Sequence, residues 1–407
     1  MTLNLNNFFE SASGTVMTTQ AITSHNMLSG LFGGKSKAGV DVTLTTASTH
    51  TTVMSCYRVL SESVASMPIH LMKRKKKKGI YHKSKDYEHP LYRILNLQPN
   101  KEMTQFNWIE AMMYNLVSRG NAYSQIIRNK RGDVVAFYPL LSDNMEKVRT
   151  KSGKLAYIYH SHKVGKVWLD KREVLSVVGM SLDGVNGLSP IAYSANSIGL
   201  SMALEEFGSN FFANGANPGA VYEIPTSLSK IAFERLRTSL KEKYESLKNS
   251  GKPMLLEEGL TFKSIGISNN DSQFLETRKF QKSEIASIFR IPPHMINDLE
   301  KATFTNIEHQ YLAFSTDALM PYVHRFEQAL NIALFEDDNK HYISFNMDAM
   351  LRGDTKSRYE ANGKAVRDGW LTRNEVRKQE GLNPIKGLDT PIMQLNMGKG
   401  DEKDEQK

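Results

Sequence analysis

The sequence predicts an α+β protein, and three observations carry that prediction. Short strand patterns bounded by glycine alternate with helical patterns up to about residue 188. A long helical pattern follows over residues 189–214, with apolar residues on two of its faces. A second helix then returns the chain from a short, highly charged unit at residues 216–270. With 407 residues, of which 40% are hydrophobic, the chain is long enough to bury a sizeable core.

The first part opens with a segment, residues 1–46, whose Thr, Ser, Asn and Gly content predicts flexibility. Helical spacing predicts a helix from Ala47 to Ser66, ended by Pro68, and another from Thr104 to Ser118. Cys56 lies on the apolar face of the first helix, so we expect core packing rather than a reactive thiol. A single cysteine excludes an intramolecular disulfide and suits a reducing cytoplasm. The strand signals are Ile69–Met72, Ala122–Arg128, Val134–Tyr138, Leu155–His160 and Val174–Val178.

The helix predicted over residues 189–214 carries two apolar stripes. They begin nine residues apart, and at about 100° per residue they lie on opposite faces. A helix that is apolar on two sides has to be covered on two sides, once by its own chain and once by a neighbouring copy. The first stripe consists of Ile191, Ala195, Ile198 and Met202, and the second of Leu200, Leu204, Phe207 and Phe211.

A loop spanning residues 291–305 follows the returning helix of residues 271–290. Two adjacent prolines, Pro292 and Pro293, stand near its start. A long helix is predicted from Asn306 to Phe335. Pro321 lies inside it and should bend it, because proline removes a backbone hydrogen bond.

In the last part of the chain, the residue pattern predicts a strand at Tyr342–Asn346 and two short helices, Thr355–Asp368 and Arg373–Glu380. The second helix opens at Thr372 with a capping-box pattern. Residues 391–407 are polar and charged, and we expect a disordered tail.

The formal net charge of +9 raises the question of an anionic partner. Six consecutive cations stand at Lys73–Lys78, just before Gly79. Such a run is typical of a solvated hairpin or loop, and binding to an anionic partner is the alternative. Outside this run the charges are nearly balanced, so no large basic face is predicted.

The sequence predicts no catalytic residue, no metal site and no cofactor. The histidines stand apart from any Cys or carboxylate cluster at metal-ligand spacing, and no nucleophile motif is present. No apolar run approaches the roughly 20 residues of a membrane span. Two alternatives remain open at this point: a DNA-processing enzyme such as a nuclease, and a non-viral DNA-binding scaffold.

An ordered series of motifs from about residue 50 to 397 resembles the portal proteins, or head–tail connectors, of tailed bacteriophages with long non-contractile tails. The series reads SCYRVLSESVASMPIHLMKR, HPLYRILNLQPN, SRGNAY, GLSPIAYSANSIGL, FFANGANPGAV, FLETRKF, IFRIPPHMINDLEKATFTNIE, LRGDTKSRYE and GWLTRNEVRKQEGLNP.

The resemblance implies a non-enzymatic ring of identical subunits, typically a dodecamer, at one vertex of the capsid. Double-stranded DNA is packaged and ejected through its channel. The implied partners are the large terminase subunit, the major capsid protein and head-completion or adaptor proteins. The ring would nucleate procapsid assembly in the host cytoplasm and remain in the virion.

The resemblance also divides the chain into the parts of a portal subunit. The expected parts are the first part of the wing (47–188), the stem helices (189–215 and 271–290), the clip (216–270), the tunnel loop (291–305), the long kinked helix with the second part of the wing (306–350) and the crown (351–390).

Candidate site residues follow from this division. Near the channel axis we expect Pro292, Pro293, His294, Met295, Asn297, Asp298 and Lys301. Four cations are candidates to line the channel in the stem, where they would contact DNA or form intersubunit salt bridges. They are Arg278, Lys279, Lys282 and Arg290. The second apolar stripe, from Leu200 to Phe211, is expected to pack between subunits. The alternative for the loop is that Met295, Ile296 and Leu299 simply pack it onto neighbouring helices.

Overall fold

The computed structural model of the chain describes most of residues 36–392, together with residues 20–21. The described ranges are 20–21, 36–77, 80–213, 220–223, 225, 227–244, 261–264, 270–299, 304–336, 338, 340–347 and 355–392. The chain forms two compact units, Met1–Phe345 and Asn346–Lys407.

The helices confirm most of the predicted pattern. In chain order they are α1 (Leu44–Thr49), α2 (Thr51–Ala65), α3 (Pro90–Asn96), α4 (Gln105–Arg119), α5 (Pro190–Tyr193), α6 (Ala195–Ala213), α7 (Lys230–Tyr244), α8 (Asn270–Ile288), α9 (Phe304–Ala313), α10 (Met320–Phe335), α11 (Thr355–Arg367) and α12 (Arg373–Gln379). Along the described parts of the chain, no helix is long and apolar enough to cross a bilayer.

The strands form small antiparallel sheets. They are β1 (Gln20–Ala21), β2 (Ile69–Lys77), β3 (Ile80–Lys85), β4 (Asn121–Arg128), β5 (Val134–Leu140), β6 (Met145–Arg149), β7 (Leu155–Ser161), β8 (Gly165–Asp170), β9 (Val174–Val178), β10 (Ala220–Glu223), β11 (Thr261–Ser264) and β12 (His341–Phe345). The strand orders are β1-β6-β7-β8, β12-β2-β3, β5-β4-β9 and β10-β11.

The core of the first unit lies where α2 and α4 pack together beside β4. Trp108 is fully buried, and its indole N–H donates to Ser124 Oγ at 3.1 Å. Its ring stacks on Phe137 of β5 with centroids 4.9 Å apart. Cys56 is buried on α2, and burial raises its pKa to about 12. The predicted core role of Cys56 is therefore confirmed.

The end of the segment predicted to be flexible is ordered. Thr43 caps α1 through a reciprocal pair of hydrogen bonds with Thr46, so a helix begins before residue 46. Ser36 and Val42 are buried against α6 at Gly199. A Cβ at Gly199 would stand 2.3 Å from the Cβ of Ser36, so glycine permits this close approach. Of residues 1–35, the structure describes only β1, which pairs with β6.

Strands β6 and β8 are among those absent from the sequence prediction. β6 reads MEKVR and β8 reads GKVWLD, so charged residues interrupt their apolar pattern. Both pair along β7, which was predicted, and Val148, Val167 and Leu169 are buried there. Pairing with a well-formed neighbour overrides weak local propensity.

The helix predicted as one piece over residues 189–214 is divided at Ser194. Ser189 caps the short α5, and Ser194 leaves helical geometry with φ −105° and ψ 18° before α6 begins. α6 packs against the returning helix α8, where Gly208 of α6 stands close to Phe274. A Cβ at Gly208 would be 3.1 Å from the Phe274 ring.

The helical stretch around Pro321 is not one regular α-helix. A six-residue π-helical turn, Phe314–Leu319, separates α9 from α10. Pro321 then lies in the first turn of α10, where its missing N–H costs little. The regular hydrogen-bond pattern is thus interrupted just before the proline, and the bend expected there stays a prediction.

The second unit is built from α11 and α12. The predicted capping box is present, since Thr372 Oγ1 accepts from Glu375 N and the Glu375 carboxylate accepts from Thr372 N. Arg358 of α11 forms a paired hydrogen bond with the Glu380 carboxylate, with distances of 2.9 and 3.0 Å. Asn374 is buried and holds the following loop through Ile385.

Two backbone segments approach each other closely just before α5, where the loop after β9 meets the end of α4. We call this close approach of Gly120, Gly179 and Gly187 the backbone joint. A Cβ added to Gly187 would lie 1.8 Å from the carbonyl oxygen of Gly120, and one at Gly179 would lie 2.9 Å from it. Gly120 ends α4 with φ 76°, a conformation that glycine adopts without steric cost. Ser189 Oγ, at the start of α5, donates to Ser118 O at 2.7 Å.

A buried lysine lies beneath this joint. Lys147 Nζ donates to Asn121 Oδ1 at 3.0 Å and to the carbonyl oxygen of Val185. Asn121 also bonds Gly187 through its side chain, accepting from Gly187 N at 3.0 Å. The Asp183 carboxylate accepts from the N–H groups of Val185 and Asn186 and thereby closes the loop. These bonds hold the chain entering α5 against the sheet.

Gly187→Ala should destabilise the first unit, because the added methyl meets backbone that cannot move aside. We expect a loss of about 3 kcal/mol in the free energy of unfolding, at the upper end of overpacking effects. Urea unfolding followed by circular dichroism measures it. Gly363→Ala is the matched control, since nothing lies within 4 Å of its added Cβ. Equal stability of the two variants would contradict this account of the joint.

Lys147 should make stability rise with pH above neutrality. Burial lowers its pKa to about 8, so the unfolded chain binds more protons than the folded chain from that pH up to about 10. Lys147 should then add up to about 1.4 kcal/mol per pH unit to the free energy of unfolding, against an opposing contribution from the buried Cys56 thiol, whose pKa is raised.

Lys147→Met should remove that slope, whereas Lys154→Met, at an exposed position, should retain it. Urea titrations at several pH values between 7.5 and 9.5 measure the slopes. Parallel pH profiles for the wild type and Lys147→Met would show that the buried ammonium is not responsible.

Candidate functional site

The loop after α8 begins with a sharp change of direction at Arg290, whose φ is 55°. A left-handed conformation is uncommon for such a residue and costs about 1–3 kcal/mol. Arg290 Nη1 donates to Asp317 O of the π-helical turn at 3.0 Å, which helps to hold the conformation. Phe289, just before it, packs its buried ring edge-on against Tyr57 of α2 at 5.7 Å.

The loop itself is a closed turn rather than an extended segment. Pro293–Ile296 form one 3₁₀ turn, and Asn297 ends it in a left-handed conformation with φ 58°. Asp298 N donates back to Pro293 O at 3.0 Å. The His294 ring bonds the Gln310 amide of α9 at 2.8 Å. The first half of the predicted tunnel loop is therefore packed against the body of the unit.

The exposure of the predicted loop residues divides them into two groups. Ile296 is buried and Met295 is half-buried, so these two side chains pack at least partly against their own chain. Leu299 is 62% exposed and does not pack into its own chain in the same way. Among the candidates, Pro293 and Asn297 are exposed, and Pro292, His294 and Asp298 are half-buried. Lys301 lies outside the described residues.

An open cleft of about 840 Å³ separates the loop from the π-helical turn. Pro292 and Pro293 line one side of it, and Phe314, Asp317 and Pro321 line the other. The adjacent prolines therefore shape the wall of a cleft at the start of the loop. The sequence did not predict this cleft, because the π-helical turn has no recognisable sequence signal.

The basic candidates of α8 differ in exposure. Arg278 and Lys279 are exposed and Lys282 is half-buried, and Arg290 is exposed just beyond the helix end. The buried residues of the same segment are Gln281, Ile285, Ala286 and Phe289. Arg278 and Lys282 stand seven residues before Ile285 and Phe289, so they share the side of α8 that is buried towards its C-terminal end.

The two apolar stripes of the stem helix behave differently. In the first stripe Ile191 and Ile198 are buried, so the chain itself covers that side. In the second stripe Leu200 is 43% exposed and Phe207 is 59% exposed. Leu204 is half-buried, and the side chain of Phe211 lies outside the described part of the structure.

A further aromatic residue, Phe280 of α8, is 67% exposed. Sequence analysis missed it because neighbouring charged residues hide the pattern. The second side of α6 is the candidate subunit interface of this chain.

A carboxylate–histidine cluster joins the ends of β2, β3 and β12. The two ring nitrogens of His341 contact Asp338 at 2.5 Å and Asp86 at 3.3 Å. Lys73 Nζ also binds Asp86, at 3.1 Å. Hydrogen bonds from Lys73 and His341 lower the pKa of Asp86, and a hydrogen bond from His341 lowers the pKa of Asp338. Because both ring nitrogens of His341 contact carboxylates, the cluster connects β12 to the hairpin of β2 and β3.

Within the described residues, no group of three or more His, Cys, Asp or Glu side chains is arranged to hold a metal ion. The arrangements that stand out in the described parts are therefore surfaces and turns: the apolar side of α6, the closed loop and its cleft.

Comparisons with known proteins agree with this architecture. Residues 51–381 match the family described as phage portal protein. The portal protein of Enterobacteria phage HK97 is 33% identical over 352 residues, which cover 84% of this chain and 81% of that protein. The probable portal protein of Streptomyces phage phiC31 is 31% identical over 391 residues, which cover 92% of this chain and 84% of that protein.

Solved structures show the same fold. The crystal structure of an HK97 family phage portal protein from Corynebacterium diphtheriae has a TM-score of 0.55 at 17% identity, covering 77% of this chain and 98% of that chain. A chain from the neck of a native gene transfer agent particle has a TM-score of 0.58 at 22% identity, covering 83% and 91%. The predicted α+β portal fold is confirmed, and the chain belongs to the phage portal protein family of tailed bacteriophages.

Proposed function

We propose that copies of this chain associate head to tail into a closed ring whose central channel passes double-stranded DNA. The observation that carries the proposal is the exposed apolar side of α6, represented by Leu200 and Phe207. A contiguous apolar surface on a helix is typical of an interface. Family membership supports the same assignment.

Head-to-tail contacts produce a ring when the rotation between neighbours closes. In this chain one side of α6 is covered by its own fold and the other side is exposed, so the next copy can cover the exposed side. The particle neck that shares this fold was computed with C12 symmetry, which supports a dodecamer.

The ring acts as a docking platform and has no catalytic role or cofactor. It occupies one capsid vertex of the virion after assembly in the host cytoplasm, where it nucleates the procapsid. Its protein partners are the large terminase subunit, the major capsid protein and head-completion or adaptor proteins. Family membership supports these assignments.

The second half of the loop, from Asn297 onward, is the part that approaches DNA. Asn297 and Leu299 are exposed, whereas the preceding residues are held by the closed turn. The sequence DLEK at residues 298–301 contains two acids and one cation. Cations along a channel would bind phosphates tightly through counterion release. A nearly neutral loop lets the duplex move past it.

The double variant Leu200→Gln, Phe207→Gln should weaken ring assembly, because it places polar groups in a surface that becomes desolvated. Mass photometry and negative-stain electron microscopy of the purified protein should show loss of annular particles. The control is Val135→Gln, Val164→Gln, which changes two valines of similar exposure, 47% and 48%, one on β5 and one in the turn between β7 and β8. Unchanged rings from the first variant, with unchanged thermal stability of its subunits, would contradict the proposed interface.

Replacing residues 298–302 with Gly and Ser should leave rings intact but impair DNA packaging or retention, since the closed turn up to Asn297 is kept. Complementation of a phage that lacks its own portal gene measures this, and infectious titre should fall by more than an order of magnitude. Replacing the exposed turn at residues 151–154 in the same way is the control. Full heads and normal titre from the loop variant would show that the loop is not needed for DNA packaging or retention.

A further inference from the structure

The hairpin formed by β2 and β3 concentrates the positive charge of the chain. Between Lys73 and Lys85 the sequence contains eight Lys and Arg residues and no Asp or Glu. Subtracting these eight charges from the chain's net charge of +9 leaves +1 for all other residues. The proposed DNA channel does not account for this charge, because its candidate residues lie on α8 and in the loop.

The predicted solvated hairpin is confirmed as a hairpin, but the basic run belongs to a strand. β2 extends through Lys77 and pairs with β3, with Arg74 opposite Lys83 and Lys76 opposite Tyr81. Directly opposed residues of an antiparallel pair share one face, and alternate residues share the same face. Cations and a tyrosine are therefore brought to one face of a two-stranded ribbon.

That face is the outer one. Ile69 and Leu71, which alternate with it along β2, are fully buried beneath the sheet. Arg74, Lys76 and Lys83 are all exposed. We call the surface formed by Arg74, Lys76, Tyr81 and Lys83 the basic ribbon face.

Aromatic rings accompany these cations. The Arg74 guanidinium carbon lies 4.4 Å from the centroid of the Tyr342 ring, and Lys76 Nζ lies 5.6 Å from that of Tyr81. Tyr81 is itself 64% exposed. Such contacts orient the cations while leaving their positive charge uncompensated.

No acidic side chain in the described parts of the chain pairs with Arg74, Lys76 or Lys83. By contrast, Lys73, at the base of the hairpin, binds Asp86 at 3.1 Å. Asp86 in turn contacts His341 of β12. The base of the hairpin is thus neutralised and clamped, whereas the charge on the basic ribbon face remains available to a partner.

We propose that the basic ribbon face binds the phosphate backbone of double-stranded DNA at a surface separate from the proposed channel loop. Alternate residues of a strand are about 6.7 Å apart. B-DNA carries one phosphate per strand for about every 3.4 Å of its axis. Arg74 and Lys76 therefore stand far enough apart to contact two different phosphates.

The composition of the face favours nucleic acid over an acidic protein segment. Protein–protein interfaces are depleted of lysine, especially at their desolvated centres. A row of cations interleaved with tyrosine is typical of nucleic-acid surfaces, where cations contact phosphates and rings pack against sugars or bases. Such a surface holds DNA, whereas a nearly neutral loop lets it slide.

The test is duplex binding by the full-length protein, measured by fluorescence anisotropy with a short labelled DNA at several salt concentrations. The variant is Arg74→Gln, Lys76→Gln, Lys83→Gln. Loss of three phosphate contacts should weaken binding and reduce the slope of log K against log salt by about three. The matched control is Lys151→Gln, Lys163→Gln, Lys166→Gln, which removes the same charge from other exposed positions, two in turns and one on β8.

Loss confined to the ribbon variant supports the proposal. Equal binding by the ribbon variant and the wild type overturns it, as does an equal loss in the control. Displacement of DNA by polyglutamate as readily as by unlabelled duplex also overturns it, in favour of an acidic protein partner. Ring formation, viewed by electron microscopy for each variant, is a separate readout, so the proposed channel function and the ribbon proposal can fail independently.

Discussion

The close approach of Gly187 to Gly120 is the constraint on which the candidate interface depends. It brings two backbone segments together at a distance that no side chain permits. The buried ammonium of Lys147 and the amide of Asn121 satisfy the polar groups around it. The chain therefore leaves the sheet at a defined point and enters α5 and α6 in a defined direction.

The direction of α6 decides which of its sides the chain covers. Ile198 is turned into the fold, and Gly199 admits the segment around Ser36 and Val42 at close range. Leu200 and Phe207 are consequently left on the outside. An exposed apolar surface in a monomer becomes a buried contact in a closed ring, so the same packing that stabilises the subunit prepares the proposed assembly.

The sequence predicted the elements with strong periodicity and missed those that depend on long-range contacts. The helices around Cys56 and after Thr104 were predictable because apolar spacing and capping residues are local signals. β6 was not predictable, because Lys147 looks like a surface residue until Asn121 and Val185 are brought to it by folding. The π-helical turn before Pro321 was not predicted for the same reason. Its altered backbone hydrogen bonds depend on tertiary packing and leave no local sequence signal.

The central claim is that the exposed side of α6 is covered by the next copy of the chain in a closed ring. Cryo-electron microscopy of the purified full-length protein tests it most directly. The account predicts annular particles in which Leu200 and Phe207 of each subunit are buried against a neighbour. Monomers at every concentration, or rings in which these two side chains still face solvent, would contradict it.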